Sequence, residues 1–379
     1  MTAPAGHGAG TAGGAGGKVA IGSIRGAAYT IPTDKPEADG TAQWNSTTLV
    51  VVEATGGGET GIGYTYSHDS IVRLIEEKLR EQVVGRDVMD PQGTCLEMQR
   101  AVRNLGREGL AATAISAVDT ALWDLKAKLL GLPLTSLFGR YRDAVPIYGS
   151  GGFTTYSEAE LTAQLRGWVE RDGCRWVKMK IGTHPEADPA RVAAAKRAIG
   201  DGVLFVDANG AYDVKQALRQ GEHFADQQVA WFEEPVSSDD LDGLRLLRMR
   251  LPACMDVAAG EYAYTPDYVR RMLQAEAVDV QQADVTRCLG FTGWLQIAAL
   301  CDAHHIALSG HCAPSLHVAA ACAVPRLRHL EWFHDHVRIE HMLFDGAPTP
   351  RDGFIRPDLS RPGLGIAFKH QDAERFRVH

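Results

Sequence analysis

The pattern of apolar and polar positions changes near residue 145. Before it, β-rich stretches occupy residues 18–55, and Thr47-Thr48-Leu49-Val50-Val51-Val52 reads as the clearest strand. Tyr64-Thr65-Tyr66 ends another. Between the two β-rich parts of this region, Pro32 to Gly40 is polar and turn-rich and predicts a loop. Residues 70–130 read as helical. In the alanine-rich stretch Leu110–Leu130, Ile115, Val118, Leu122 and Leu125 recur at helical spacing, and Gly131-Leu132-Pro133 ends it.

After Val145-Pro146-Ile147-Tyr148, short apolar runs alternate with amphipathic stretches, the signature of βα units on a parallel sheet. The runs are Trp176–Lys180, Val203–Asp207, Val229–Glu233, Met255–Glu261, Val278–Asp284, Ile306–His311 and His329–Phe333. Six finish on a charged or titratable residue, and the seventh carries Glu331 near its end. From Lys180 through Asp207, Glu233, Glu261, Asp284 and His311 to Glu331 the intervals are 27, 26, 28, 23, 27 and 20 residues, each about one βα unit. A (β/α) barrel gathers the carboxyl ends of its strands in one ring, where active sites sit. These side chains should therefore converge. Parity agrees: Lys178 with Lys180, Phe205 with Asp207 and Asn209, Trp231 with Glu233, and Gln282 with Asp284 share faces.

Bulk properties narrow the classes. The chain of 379 residues is long enough for two domains. Its formal charge of −8 gives no reason to expect nucleic acid or an anionic membrane surface as partner. No apolar run approaches the ~20 residues that span a bilayer. Residues 1–17, rich in Gly and Ala without an apolar core, read as a disordered tail and not a signal peptide. Seven scattered cysteines without a C-x-x-C pair point to free thiols in a reducing cytosol.

Three carboxylates meeting in a barrel, Asp207, Glu233 and Glu261, repel one another unless a cation holds them. An all-oxygen trio favours Mg²⁺, then Mn²⁺, over zinc. Asn209 is placed to support that site and reach the substrate.

The motifs Lys178-Met179-Lys180-Ile181-Gly182, Asp207-Ala208-Asn209, Glu233-Glu234-Pro235, Gly260-Glu261, Asp284 with His311, and Glu331 together resemble the enolase superfamily, in its mandelate-racemase-like group. The helix ending Ala121-Leu122-Trp123-Asp124-Leu125 is similar too. No single motif is specific; their order and spacing are. The likeness runs from about residue 18 to the end. It departs at Leu289-Gly290 and Gly139-Arg140, where the family often has Gly-Gly.

The resemblance implies an α/β fold: an α+β capping domain (18–140), a (β/α)7β modified TIM barrel (141–350), and a C-terminal segment (351–379) returning to the cap. It implies a Mg²⁺ enzyme that removes the proton α to a carboxylate. In that chemistry Lys178 holds the substrate carboxylate and Lys180 is the base, kept neutral by its neighbouring ammonium. Asp284 fixes and raises the basicity of His311, a second acid/base. Glu331 hydrogen-bonds the substrate carboxylate in its protonated form. Glu234, of opposite parity to Glu233, is expected to pair outside the barrel, Cys312 to pack, and His317, His304 and His305 to be helix and loop residues. The cap loop Tyr29–Trp44 and the turn Tyr64–His68 should set specificity, with Trp44, Tyr66, His68 and Lys35 as substrate contacts.

The leading expectation is a lyase that dehydrates an acid sugar to a 2-keto-3-deoxy acid. Its rival is a racemase or epimerase using two bases for 1,1-proton transfer. A metal-free Schiff-base aldolase and a scaffold without activity are the other classes; the acidic trio and the complete catalytic set count against them. A small-molecule carboxylate is the expected ligand and a homo-oligomer the expected assembly.

Overall fold

The computed structural model describes residues 18–378; the tail read into residues 1–17 lies outside them. The chain opens with a three-stranded antiparallel sheet, β1 (Ile21–Ala38), β2 (Gln43–Gly56) and β3 (Glu59–Tyr66), in the order β1-β2-β3. The polar stretch Pro32–Gly40 is not a free loop. Its β1–β2 ladder lapses between Pro32 and Glu37, where Pro32 and Pro36 offer no amide hydrogen. It resumes as Glu37 opposite Trp44 and Ala38 opposite Gln43.

Short helical turns α1 (Ile71–Leu74), Ile75–Leu79 and α2 (Arg80–Val83) lead to α3 (Pro91–Ala101), α4 (Leu110–Leu129) and α5 (Leu134–Phe138). Helix α4 lies directly on β3 because both surfaces are small. A Cβ added at Gly63 would stand 2.2 Å from Thr120 Oγ1 and 2.3 Å from the Ala117 carbonyl oxygen; one at Gly61 would stand 2.2 Å from the Ala121 carbonyl oxygen. The alanine-rich sequence of α4 thus answers the glycines of β3.

Eight parallel strands follow: β4 (Val145–Gly151), β5 (Trp176–Lys180), β6 (Val203–Asp207), β7 (Val229–Glu233), β8 (Asp256–Ala259), β9 (Val280–Ala283), β10 (Ala307–Gly310) and β11 (Leu327–Phe333). They pair in sequence order, and β11 closes the barrel on β4. Helices α6 (Glu158–Glu170), α7 (Asp188–Ile199), α8 (Val214–Asp226), α9 (Leu241–Arg250), α10 (Pro266–Gln274), α11 (Gly290–Ala303) and α12 (Pro314–Cys322) form the crossovers. The alternation of β5 separates two environments: Val177 and Met179 join the large core beneath the helices, while Lys178 and Lys180 point into the barrel. Tyr148, Phe205, Trp231, Ala258 and Val280 fill the barrel below them, with Phe205 and Trp231 stacked at 5.0 Å.

Cap and barrel are joined by buried polar contacts. Asp119 of α4 accepts from Thr292 N (3.0 Å) and Oγ1 (2.6 Å), and Ser116 Oγ accepts from the amides of Leu289 and Gly290. Leu289, where the sequence departs from Gly-Gly, takes a left-handed conformation (φ 71°) at the start of α11. Beyond β11, α13 (His334–Leu343) lies against the cap sheet: Thr47 donates to Asp335, and Tyr64 Oη donates to Glu340 at 2.7 Å. The C-terminal segment first touches the barrel, where β13 (Phe354–Ile355) pairs with the start of β4. It then reaches the cap, where Arg377 bridges to Tyr29. Strands β12 (Phe344–Asp345) and β14 (Ala367–Phe368), which flank β13 in the chain, pair with each other. Among the described residues no helix is long and apolar enough to cross a membrane.

Candidate active site

At the carboxyl ends of the barrel strands the ionisable side chains meet. Asp207, Glu233 and Glu261 offer carboxylate oxygens that all lie within 4.8 Å of one another, and all three residues are buried. Lys178 Nζ stands 2.5 Å from Glu233 Oε1, 2.9 Å from Glu331 Oε1 and 3.1 Å from Asp207 Oδ2. Lys180 Nζ donates to Asp207 Oδ2 (2.6 Å) and Asn209 Oδ1 (3.0 Å). Trp231 Nε1 donates to Glu233 Oε2 at 2.9 Å and holds that carboxylate from below.

On the other side, His311 Nδ1 meets Asp284 Oδ2 at 2.8 Å, while Thr286 N donates to Asp284 Oδ1 at 2.7 Å. The second ring nitrogen, Nε2, faces Glu261 Oε2 at 3.2 Å. Glu331 accepts from Ser150 Oγ (2.5 Å) and Cys312 N (3.0 Å). A cavity of about 310 Å³ opens above this cluster. Lys180, Asn209, Glu261, His311, Cys312 and Glu331 line its floor; Ser46, Thr47, Thr48 and Ser67 contribute hydroxyl-bearing residues from the cap, and Trp44, Tyr66, Phe333 and His336 contribute rings.

Electrostatics departs from the sequence reading in two places. Burial disfavours the ammonium of Lys180 most strongly, but the Asp207, Glu261 and Glu233 carboxylates together outweigh burial and the repulsion from Lys178, so its pKa is raised rather than lowered. Burial likewise favours a protonated Glu331, yet Lys178 and His311 hold it below the ordinary carboxylate range. That direction runs against the neutral acid implied by the resemblance. Glu233 is pushed up to about 8 by burial and by Asp207. Three carboxylates this close, served by amines that the chemistry needs elsewhere, fit a hard divalent cation: the donors are all oxygen and the group is buried.

The structure brings Trp44 and Tyr66 to the cavity. Trp44 Nε1 donates to Glu37 Oε2 at 2.8 Å, and Tyr66 stacks on His336 at 3.5 Å. It places Lys35 and His68 elsewhere. Lys35 pairs with Glu160 at the surface, and the 72 % exposed side chain of His68 turns back to Asp69 and Ser70. Glu234 does not pair outside the barrel. With φ 38° its side chain leaves the strand's alternation, stays buried, and keeps Oε1 without a hydrogen bond. Cys312 (φ 52°) turns inward the same way and lines the cavity instead of only packing. His317 accepts from Val285 N inside α12, and His305 contacts Arg326 at the surface. Arg287 and His336 are cavity residues that the sequence reading missed; Arg287 sits in the turn between β9 and α11, and His336 in the first turn of α13, directly after the last barrel strand. Arg287 stands 3.7 Å from Asp284 and 3.9 Å from Glu261.

With this geometry in view, the chain matches two family models: mandelate racemase / muconate lactonizing enzyme, N-terminal domain, over residues 29–139, and enolase C-terminal domain-like over 160–373. It is similar to a mandelate racemase/muconate lactonizing enzyme-like protein from Rubrobacter xylanophilus, with 50% identity and a TM-score of 0.92, over 94% of this chain and 99% of that one. A racemase from Streptomyces coelicolor A3(2), solved with bound magnesium, is 30% identical with a TM-score of 0.89, over 94% and 100% of the two chains. The L-talarate/galactarate dehydratase of Salmonella typhimurium is 32% identical over 83% of this chain and 78% of its own. Other relatives at about 30% identity are cycloisomerases and sugar-acid dehydratases.

Proposed function

Because the chain belongs to the mandelate racemase/muconate lactonizing enzyme family of the enolase superfamily, we propose that it removes the proton α to the carboxylate of an acid sugar and expels the β-hydroxyl, giving a 2-keto-3-deoxy acid. The observation that carries this reading is the placement of Lys180 at the end of β5 and His311 just past the end of β10, both lining one cavity with hydroxyl-bearing residues in its wall. Relatives named as sugar-acid dehydratases support it.

Asp207, Glu233 and Glu261 would hold Mg²⁺, with Mn²⁺ as substitute. That cation supplies concentrated positive charge beside the substrate carboxylate, without which an α-proton is too weakly acidic to remove. With Asp207, Glu233 and Glu261 committed to a cation, Lys180 would lose its counter-charges, and the nearby ammonium of Lys178 would favour the neutral base. Lys178 and Glu331 border the position of the substrate carboxylate. Lys180 takes the α-proton. His311, held by Asp284, gives its Nε2 proton to the departing β-hydroxyl, which leaves as water. The enol that remains tautomerises to the 2-keto acid. Ser46, Thr47, Thr48 and Ser67 suit the remaining hydroxyls of a polyol chain, and Trp44 and Tyr66 shut out water.

A second reading, 1,1-proton transfer by a racemase or epimerase, draws on the same two groups and on the racemase among the similar structures. The test is a screen with Mg²⁺ against mono- and diacid sugars, detecting 2-keto acids with semicarbazide. A signal absent from Lys180→Ala and His311→Asn establishes the dehydratase. Solvent deuterium entering recovered substrate, without keto acid, establishes the epimerase instead.

A further inference from the structure

We propose that His311, Cys312 and Glu331 form a second metal site in the same cavity, one that takes zinc or a similar borderline ion in preference to magnesium. Its regulatory consequence, inhibition, rests on the function proposed above; the binding itself does not.

The three donor atoms form a closed triangle. His311 Nε2 and Cys312 Sγ are 3.3 Å apart, Cys312 Sγ and Glu331 Oε2 3.4 Å, and His311 Nε2 and Glu331 Oε2 3.6 Å. Tetrahedral zinc, with its bonds of ~2.0 Å to nitrogen and oxygen and ~2.3 Å to sulfur, requires edges of roughly 3.3–3.6 Å between such ligands. The apposition is built by the backbone. Cys312 and Ala313 are consecutive left-handed residues (φ 52° and 38°), a conformation disfavoured for residues with a side chain. This turn brings Sγ beside the imidazole of its own neighbour, while Cys312 N donates to the Glu331 oxygen that completes the triangle. Hydrogen bonds of the sulfur, among the described residues, run only to His311 and Glu331. All three residues are at least nine-tenths buried yet line the cavity, so a fourth position is left for water or substrate.

Donor chemistry separates the two sites. The acidic trio offers only oxygen, which Mg²⁺ prefers. Imidazole, thiolate and carboxylate form a mixed set that Mg²⁺ declines and Zn²⁺, Co²⁺ or Cu²⁺ binds more tightly. Binding releases the thiol proton of Cys312 and the Nε2 proton of His311, so affinity climbs with pH. Zinc held there occupies Nε2, the position from which His311 would exchange protons with substrate, and ties down Glu331. Magnesium would activate and zinc would stop the same cavity.

The probe is Co²⁺ added to the full-length protein with Mg²⁺ saturating, reading the thiolate-to-cobalt charge-transfer band and the visible bands of four-coordinate cobalt. The expected result is a band at one cobalt per chain, unchanged in Cys254→Ser, where the exposed cysteine is removed, and absent in Cys312→Ser and Cys312→Ala. Zn²⁺ should displace the cobalt, and Cys312→Ser should weaken zinc binding by at least roughly tenfold. Circular dichroism of both variants guards against unfolding. The other mixed cluster, Asp34, Glu37 and His334, holds no sulfur and cannot give this band. No band in the wild type, or a band that survives in both Cys312 variants, overturns the site. A normal band in a protein inert toward every acid sugar leaves the site standing and removes the dehydratase instead. Once a substrate is known, zinc that binds at Cys312 without slowing turnover overturns the inhibitory role.

Discussion

Asp284 Oδ2 lies 2.8 Å from Nδ1 of His311, and Asp284 Oδ1 is itself held by the amide of Thr286. The imidazole therefore has one orientation and one nitrogen for chemistry. Replacing Asp284 by Asn keeps the shape but removes the anion. Turnover should fall by about 10²–10⁴. The His311 pKa is raised well above its ordinary value; burial opposes this, but Cys312, Glu261, Glu331 and Asp284 together prevail. It should drop in the variant, as read by ¹⁵N NMR of the ring. An unchanged ring pKa would deny Asp284 its role.

The acidic trio gives a prediction independent of substrate. Under the proposed assignment the trio holds Mg²⁺ in the native state only, so Mg²⁺ at 100 times its Kd should stabilise the protein by about 2.7 kcal/mol. Asp207→Asn and Glu261→Gln should each abolish most of that gain in a thermal melt with and without EDTA. An equal Mg²⁺ shift in both variants would move the cation elsewhere.

Glu37 supplies a pH dependence at the cap. Burial first, then Asp335, pushes its carboxyl up to about 8, while the hydrogen bond from Trp44 pulls it down. The folded pKa lies above the ordinary 4.5, so the native state holds the proton more tightly. Its stabilising contribution is full below about 4.5 and is lost as pH rises through about 8. Glu37→Gln keeps an acceptor for Trp44 and does not titrate. The Tm of the wild type relative to this variant should decline from pH 5 to pH 9; a flat difference would refute the shift.

Gly63 tests the seat of the cap helix. An alanine there must displace Thr120 and the backbone of Ala117 and Ala121. The cost is ~1–3 kcal/mol or more, visible as a lower denaturation midpoint. Gly58→Ala, with nothing within 4 Å, is the control for crowding, although its positive φ carries a backbone cost of its own. Equal losses at both positions would mean that conformation, not packing, governs β3.

The barrel was readable because most of its strands carry a titratable residue at or within two residues of their ends. Lys180, Asp207 and Glu233 terminate β5, β6 and β7 themselves, so strand parity alone directs them inward. Parity still holds for Asp284 and His311, one residue past β9 and β10, but it fails where the backbone turns. Cys312 and Glu234 both adopt positive φ just past a strand, and alternation predicts the wrong side for each. Lys35 and His68 misled for another reason. They lie in the right segments, but long or exposed polar side chains there find surface partners, Glu160 and Asp69, and no period in the sequence tells which way they turn. Arg287 lies in a turn beyond β9, and His336 in the first turn of α13, outside the strand-end series that marks the other site residues.

The contact between Arg377 and Tyr29, continued by the hydrogen bond from Val378 N to the Ala28 carbonyl, ties the last stretch of chain to the first strand. During synthesis the strand near Ala28 leaves the ribosome 350 residues ahead of its partner, roughly tens of seconds earlier at ordinary elongation rates. Over that interval the cap has neither its C-terminal brace nor the α13 surface that covers β2 and β3. The cap is thus made early and completed late, and it is where a holding chaperone would have much to shield.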